Sequence, residues 1–203
     1  MKKVIVLIAV MVPVLSDAQL YFGVKGGLNF VNVTNTAGIN AGSRSGYKIG
    51  AFLSAKKKNK VVGFRSEMLL SRQGYDYKTG TNTGNVNLDY LLLPQLITFN
   101  ISKKFEIHIG GQMAFLLNAQ SDSTSSNGTL FDYFNRFDYG VAGGFQVFPY
   151  KGLFLGARLN LSLHNLNKEL VIGSPIPSYI PKEFIKNNVL QLYAGWRFKF
   201  SKL

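Results

Sequence analysis

The chain has no cysteine, only six prolines and only ten acidic residues among its 203 residues. The lack of cysteine excludes a disulfide framework, a thiolate nucleophile and a zinc site built on cysteine ligands. No apolar run reaches the roughly 18 residues that a conventional membrane-spanning helix requires. The chain has instead 21 glycines, 16 phenylalanines and 10 tyrosines, a composition that favours strands over helices.

The N-terminal segment has the pattern of an export signal. Lys2 and Lys3 precede an apolar run at 4–15, and Ser16-Asp17-Ala18 supplies the small residues that a signal peptidase reads. We therefore predict a signal peptide at 1–18 and one mature domain at 19–203, beginning at Gln19. Export also makes nucleic acid an unexpected partner, despite a formal net charge of +13.

Eight stretches of the mature chain alternate between apolar and polar residues. In FRSEML (64–69), Arg65 and Glu67 fall on one face of a strand, and Phe64 and Met68 fall on the other. A period of two that recurs in this way predicts an all-β antiparallel meander. The predicted strands are 21–30, 46–55, 62–73, 88–99, 105–118, 137–148, 153–164 and 189–200.

The connections between these strands alternate in length. Short turns at 55–60, 100–104 and 149–152 separate longer segments at 31–45, 74–87, 119–136 and 165–187. Short turns at one end and long loops at the other are typical of an outer-membrane barrel. Closure into a barrel also removes the sheet edges that hydrocarbon does not tolerate. The predicted fold is an eight-stranded, up-and-down transmembrane β-barrel.

Periodicity alone leaves open which face points inward, and a soluble barrel with an apolar lumen is the alternative. Two features favour the membrane. The bulky apolar set is too large for a narrow lumen, whereas the polar face carries glycines that leave room for long charged side chains: Gly23, Gly27, Gly63, Gly110, Gly140, Gly144, Gly156 and Gly195. Aromatic residues also gather near the strand ends, as in interfacial girdles. One predicted girdle contains Tyr21, Phe22, Phe99, Phe105, Phe148, Tyr150, Phe154, Phe198 and Phe200, and the other contains Tyr47, Tyr75, Tyr77, Tyr90, Phe137 and Tyr139.

Charges on the inward face define the first candidate site. Charges of both signs are costly in a lumen shielded from water unless they pair, so we expect a cross-strand network that plugs the bore. Its predicted members are Lys25, Arg65, Glu67, Asp89, Glu106, Asp138, Arg158 and Arg197. A lumen filled by side chains predicts a protein that is not a general porin.

Lysines concentrate at the short-turn end and define the second candidate site, a basic periplasmic rim. Its predicted members are Lys56, Lys57, Lys58, Lys60, Lys103, Lys104 and Lys151. Such a rim favours contact with anionic headgroups of the inner leaflet or with an acidic periplasmic partner. The alternative interpretation is that these are solvated lysines that keep short turns soluble.

Patterns for catalysis and metal binding are weak. His164 follows Ser162 near the end of the seventh strand, but the sequence places no acidic partner close to this pair. His108, beside Glu106, is interpreted as a hydrogen-bonded lumen residue. Two isolated histidines and scattered carboxylates lack the spacing of metal ligands, and the paired glycines lie within strands rather than in phosphate loops. We therefore predict no catalytic residue, no metal and no cofactor.

Five stretches carry a family resemblance: FRSEMLLSRQGYDY (64–77), LDYLLLPQLITFN (88–100), GGQMAFLLNA (110–119), DYFNRFDYGVAGGFQVFPYKGLFLGAR (132–158) and LQLYAGWRF (190–198). They are similar to the PorT-like outer-membrane β-barrel family of Gram-negative bacteria. The resemblance implies the barrel and an outer-membrane location. Some members of that family are implicated in protein secretion. An aromatic near the C-terminus, here Phe200, resembles the signal that the barrel-assembly machinery reads.

The resulting hypothesis is a non-enzymatic outer-membrane barrel with a structural or interaction role in the cell envelope. Its expected partners are outer-membrane lipids, the barrel-assembly machinery during biogenesis, and an envelope protein. The alternatives are an accessory component of an outer-membrane secretion system, a lipid-modifying barrel and a small-ligand-binding barrel.

Overall fold

The computed structural model describes residues 18–34, 42, 44–79, 82–121, 130–168, 180 and 184–200. Eight strands close into one antiparallel barrel in chain order, which confirms the predicted meander. They are β1 (Ala18–Thr34), β2 (Arg44–Lys57), β3 (Val62–Thr79), β4 (Asn82–Asn100), β5 (Phe105–Ser121), β6 (Phe137–Val147), β7 (Leu153–Ser162) and β8 (Lys186–Lys199). A short 3-10 helix, Leu130–Asp132, follows β5. Within the described residues, no helix is long and apolar enough to cross a bilayer.

The bulky apolar residues form a band on the outer face of the barrel. On β3, the outward-facing positions run from Val62 to Leu70, and the charged Arg72 follows them. Ile49 on β2 and Ile109 on β5 are also more than half exposed. A continuous exposed apolar surface of this kind is the face that hydrocarbon solvates in an outer-membrane barrel. The polar face therefore lines the lumen.

Glycines on the inner face make room for large side chains from other strands. A Cβ at Gly23 would lie 2.3 Å from the Phe52 ring, and a Cβ at Gly195 would lie 2.4 Å from the Phe154 ring. Both aromatic rings are buried in the lumen. Small inward residues therefore allow a narrow eight-stranded barrel to hold long ones.

The β3–β4 connection differs from the prediction. The segment 74–87, predicted as a long loop, instead continues both strands until Thr79 pairs with Asn82. The reason is that alternation persists beyond the predicted strand ends, with Tyr75, Tyr77 and Val86 buried on the inner face. The hairpin therefore extends beyond the apolar band. The serine-rich part of 119–136 and most of 165–187 lie outside the described residues.

A β-bulge changes which residues of β5 face the lumen. Asp89 pairs with Asn118 and Tyr90 pairs with Leu116, so the register skips Leu117. The extra residue exchanges the two faces of the strand from this point onward. Leu116 and Ala119 are therefore both buried. Asn118, which strict alternation from Glu106 would place on the inner face, lies on the outer one.

Five aromatic residues assigned to the interfacial girdles point into the lumen instead. Phe148 and Phe154 pack with Phe52 and Tyr193 in a cluster at the short-turn end. Phe154 shares the strand face of Arg158, so the alternation itself indicated its inward direction. The other three lie in the apolar cluster at the long-loop end: Tyr75, Tyr77 and Tyr90. The lumen is thus filled by apolar side chains near both of its ends.

Candidate functional site

A layer of buried charges crosses the middle of the lumen. The carboxylate of Glu67 accepts hydrogen bonds from Lys25 Nζ at 2.5 Å and from Arg158 Nη1 and Nη2 at 2.7 and 2.8 Å. The side chains of all three residues are at most 1% exposed. Arg158 Nε also donates to His108 Nε2 at 3.1 Å. Strands β1, β3, β5 and β7 are therefore tied together across the barrel by one connected group of charged and polar side chains.

A second buried ion pair joins β3 to β5. Arg65 Nη2 lies 2.6 Å from Glu106 Oε1, and Arg65 Nη1 donates to Gln146 Oε1 at 3.1 Å. The guanidinium also lies over the Phe52 ring, 4.8 Å from its centroid. Because both partners are almost completely buried, each charge depends on the other for its stabilisation.

The buried layer contains more cations than carboxylates. In the described part of the chain, four cationic side chains are at most 3% exposed, Lys25, Lys48, Arg65 and Arg158, whereas the buried carboxylates around them are Glu67 and Glu106. The Tyr193 ring compensates in part, because the Nζ atoms of Lys48 and Lys25 lie 4.3 and 4.7 Å from its centroid. Cation–π contacts gain strength when the cation is desolvated.

Lys48 is the member of this layer that the sequence reasoning missed. Its Nζ donates to Gln191 Oε1, and its side chain is buried in the lumen. A signal was present, because Lys48 lies between Gly46 and Gly50 on the inner face of β2, as Lys25 lies between Gly23 and Gly27 on β1.

Three predicted network members lie elsewhere. Asp89 faces outward, and its carboxylate pairs with Arg72 Nε at 2.7 Å, so its assignment to the lumen is wrong. Asp89 faces outward because the inner face of β4 is occupied by the alternate residues, which include Leu88 and Leu92. Asp89 and Arg72 are paired neighbours at the edge of the outer apolar band. Asp138 is bonded to the Ser162 hydroxyl at 2.6 Å rather than to a cation. Arg197 lies at the short-turn mouth of the barrel, 3.8 Å from the Phe148 ring centroid.

Between the charged layer and the long-loop end of the barrel, the lumen is filled first by uncharged polar side chains and then by apolar ones. Asn29 Nδ2 and Gln73 Nε2 both donate to Ser71 Oγ, at 2.8 and 2.9 Å. Next comes a buried apolar cluster to which Leu130, Phe134, Leu166, Ile180 and Ile185 contribute from segments between the strands. The lumen is therefore filled on both sides of the charges.

The geometry around Ser162 does not form a relay from serine through histidine to acid. The Ser162 hydroxyl lies 2.6 Å from Asp138 Oδ1 and 2.9 Å from the carbonyl oxygen of His164, not from the imidazole ring. The ring packs against Tyr139 instead. A general base must reach the hydroxyl through a ring nitrogen. In the described ranges, no three histidine or carboxylate side chains gather where they could hold a metal ion.

The predicted rim lysines all lie at the short-turn end. Six are exposed and Lys56 is half-buried. They occupy two separate places: Lys56, Lys57, Lys58 and Lys60 at the β2–β3 turn, and Lys103, Lys104 and Lys151 beside the lumen mouth. The second group surrounds a basin of about 410 Å³, which Arg197 and Phe148 also line. Among the described residues, the wall of this basin has four cationic side chains and no carboxylate.

Comparison with known proteins identifies the family to which this barrel belongs. Residues 16–168 match the model of the outer membrane protein beta-barrel domain family. The chain belongs to this family. A search of curated protein sequences finds no match.

Solved structures of several outer-membrane proteins have a similar fold. The Yersinia pestis attachment invasion locus protein Ail, solved with the heparin analogue sucrose octasulfate, is 14% identical with a TM-score of 0.50, covering 89% of this chain and 99% of Ail. Neisserial surface protein A is 14% identical with a TM-score of 0.51, covering 90% and 99%. AlkL, solved in DMPC bilayers, is 11% identical with a TM-score of 0.50, covering 91% and 93%. At these identities the likeness shows the fold alone.

The family and the fold together locate the protein in the outer membrane. In this family of barrels the short turns face the periplasm. By this rule we expect the basic rim on the periplasmic side and the β3–β4 hairpin on the outside of the cell.

Proposed function

We propose that the protein is a closed, non-enzymatic outer-membrane barrel that acts as a structural or interaction protein of the envelope. The observation that carries the proposal is the buried charged layer, in which Glu67 joins Lys25 and Arg158 across the lumen. The buried apolar clusters on either side of this layer support the same conclusion, because an ion would have to pass between packed apolar side chains.

Conductance measurements test this proposal directly. Mature protein reconstituted into planar bilayers is expected to show no steady open channel, whereas an open porin inserted in the same chamber gives stepwise conductance. The buried layer would have to be rearranged before ions passed. A stable, wide conductance from the unmodified protein would overturn the closed-barrel function.

A second candidate function rests on the basin at the periplasmic mouth. Its cations Lys103, Lys104, Lys151 and Arg197 suit an acidic segment of a periplasmic protein, and stacking on Phe148 preorganises the Arg197 guanidinium. The similarity to the PorT-like family suggests that such a partner belongs to a secretion system. We propose this accessory role as the alternative.

A photo-crosslinking experiment distinguishes the alternative from the structural role. A photoreactive amino acid at Tyr150, which is 68% exposed in the basin wall, is expected to capture one periplasmic protein in living cells. Capture should fall at least about fivefold in a K103Q/K104Q/K151Q variant if charge drives association. The charge-matched K56Q/K57Q/K60Q variant should capture normally. Equal capture by both variants would count against the basin.

A further inference from the structure

A groove on the outer wall of the barrel lies where the apolar band meets the periplasmic rim. It has a volume of about 430 Å³ and lies below the β2–β3 turn. Its walls are apolar: Val61 and Val62 are each about half exposed, and Phe64 and Ile97 pair across β3 and β4. Ala55 forms part of the floor, so the depression exists because a small residue faces outward there.

Lysines surround the periplasmic end of this groove. Lys56, Lys57 and Lys60 line it, and no carboxylate of the described part of the chain does. The nearest acidic residue at this end, Glu106, is buried inside the lumen and bonded to Arg65. Among the described residues, the exposed charge of the periplasmic end is therefore entirely positive.

The turn that presents these lysines is well fixed. Lys60 N donates to the Lys57 carbonyl at 3.2 Å, and Asn59 takes the left-handed conformation (φ 60°) that a tight turn needs. Asn100 N then ties the Val61 carbonyl to β4 at 2.8 Å. The backbone of Lys57 and Lys60 is thus fixed at one end of the apolar groove.

We propose that this groove binds an anionic phospholipid of the periplasm-facing leaflet. The phosphate contacts Lys57 and Lys60, and an acyl chain lies over Ala55 between the apolar walls. Lys56, whose side chain alternates to the inner face of β2, adds positive charge at the same rim. The groove is continuous with the lipid-facing band, so a lipid reaches it without leaving its leaflet, whereas a periplasmic protein would have to enter hydrocarbon. Basic residues near a membrane surface each add to the attraction for anionic lipid headgroups.

Native mass spectrometry of the mature protein in detergent micelles tests this site. Phosphatidylglycerol and phosphatidylcholine with the same acyl chains are the probes. We expect one phosphatidylglycerol to be retained at least about tenfold better than phosphatidylcholine, since Lys57 and Lys60 both contact the anionic lipid. The K56Q/K57Q/K60Q variant should lose at least about fivefold of this retention. A heat-modifiable band on gels verifies that each variant is folded.

Two further variants separate a groove from diffuse attraction. A55F keeps every lysine but fills the floor, and it should also reduce retention at least about fivefold, because burial of the acyl chain is lost. K103Q/K104Q/K151Q removes the same charge at the same end of the barrel and should change retention less than about twofold. Equal losses in both lysine variants, normal retention in A55F, or equal binding of the two lipids would each overturn the proposal.

Discussion

At the scale of single residues, the carboxylate of Glu67 is expected to contribute strongly to the stability of the folded barrel. It neutralises both Lys25 and Arg158 in a part of the lumen that water does not reach. Glu67→Gln preserves the shape but leaves the two cations without a counter-charge. Removing one partner of a buried ion pair typically costs about 3–5 kcal/mol. We expect a destabilisation of this size in urea unfolding of vesicle-folded protein, followed by the fluorescence of Trp196.

Asp89→Asn is the matched control at the same scale. Its ion pair with Arg72 lies on the outer face, with side chains 25% and 40% exposed. An exposed pair of this kind contributes less than about 1 kcal/mol. If Glu67→Gln lost no more stability than Asp89→Asn, the charged layer would not hold the barrel together.

At the scale of elements, substitutions at two adjacent glycines of β6 test how closely this strand packs against β7. A Cβ at Gly144 would lie 2.2 Å from the Ala157 carbonyl oxygen of β7, whereas a Cβ at Gly143 would have its nearest neighbour at 3.9 Å. Gly144→Ala should therefore destabilise the barrel by about 1–3 kcal/mol through overpacking. Gly143→Ala, on the outer face of the same strand, should change stability by less than about 0.5 kcal/mol. The urea midpoints of the two variants check the difference, and equal midpoints would show that the strands adjust freely.

The β3–β4 hairpin provides a test of orientation, again at the scale of elements. Lys78 lies eight positions beyond Leu70, where the outward apolar band of β3 ends, which places it about 20 Å further along the barrel. The chain has no cysteine, so Lys78→Cys carries a unique thiol. A membrane-impermeant maleimide should label it on intact cells. Lys58→Cys, in the β2–β3 turn, should be labelled only after permeabilisation, and the reverse pattern would invert the topology.

At the scale of the whole molecule, the outer-membrane barrel implies export, and the N-terminal pattern predicts where the mature chain begins. Cleavage after Ala18 leaves Gln19, which pairs with Lys56 of β2, as the first residue of the barrel. Protein extracted from outer membranes should give an N-terminal peptide whose mass corresponds to a start at Gln19. Recovery of a longer N-terminal peptide from the same membranes would contradict the predicted cleavage site.

The sequence by itself determined the barrel, its strand number and most of its inward charges. Because side chains alternate with a period of two, the sequence of each strand alone shows which of its residues share a face. Lys25, Arg65, Glu67, Glu106 and Arg158 could be grouped on that basis alone, and all five lie in one buried layer. The long loop at 74–87 was wrong because outward polar residues concealed an alternation that continues inside the hairpin.

Only the tertiary structure decided the position of the β-bulge, the strand register and the partners of the buried charges. The bulge at Leu117 exchanges the faces of β5 and moves Asn118 outward beside Asp89, and nothing in the residue types marks its position. Strand register decides the partners: Glu67 contacts Lys25 and Arg158, residues 42 and 91 positions away in the chain, because closure of the barrel brings β1, β3 and β7 around one lumen. The groove over Ala55 likewise exists only after β2, β3 and β4 are aligned. Pairing across a closed sheet depends on all eight strands at once, whereas the pattern of one strand depends only on its neighbours in sequence.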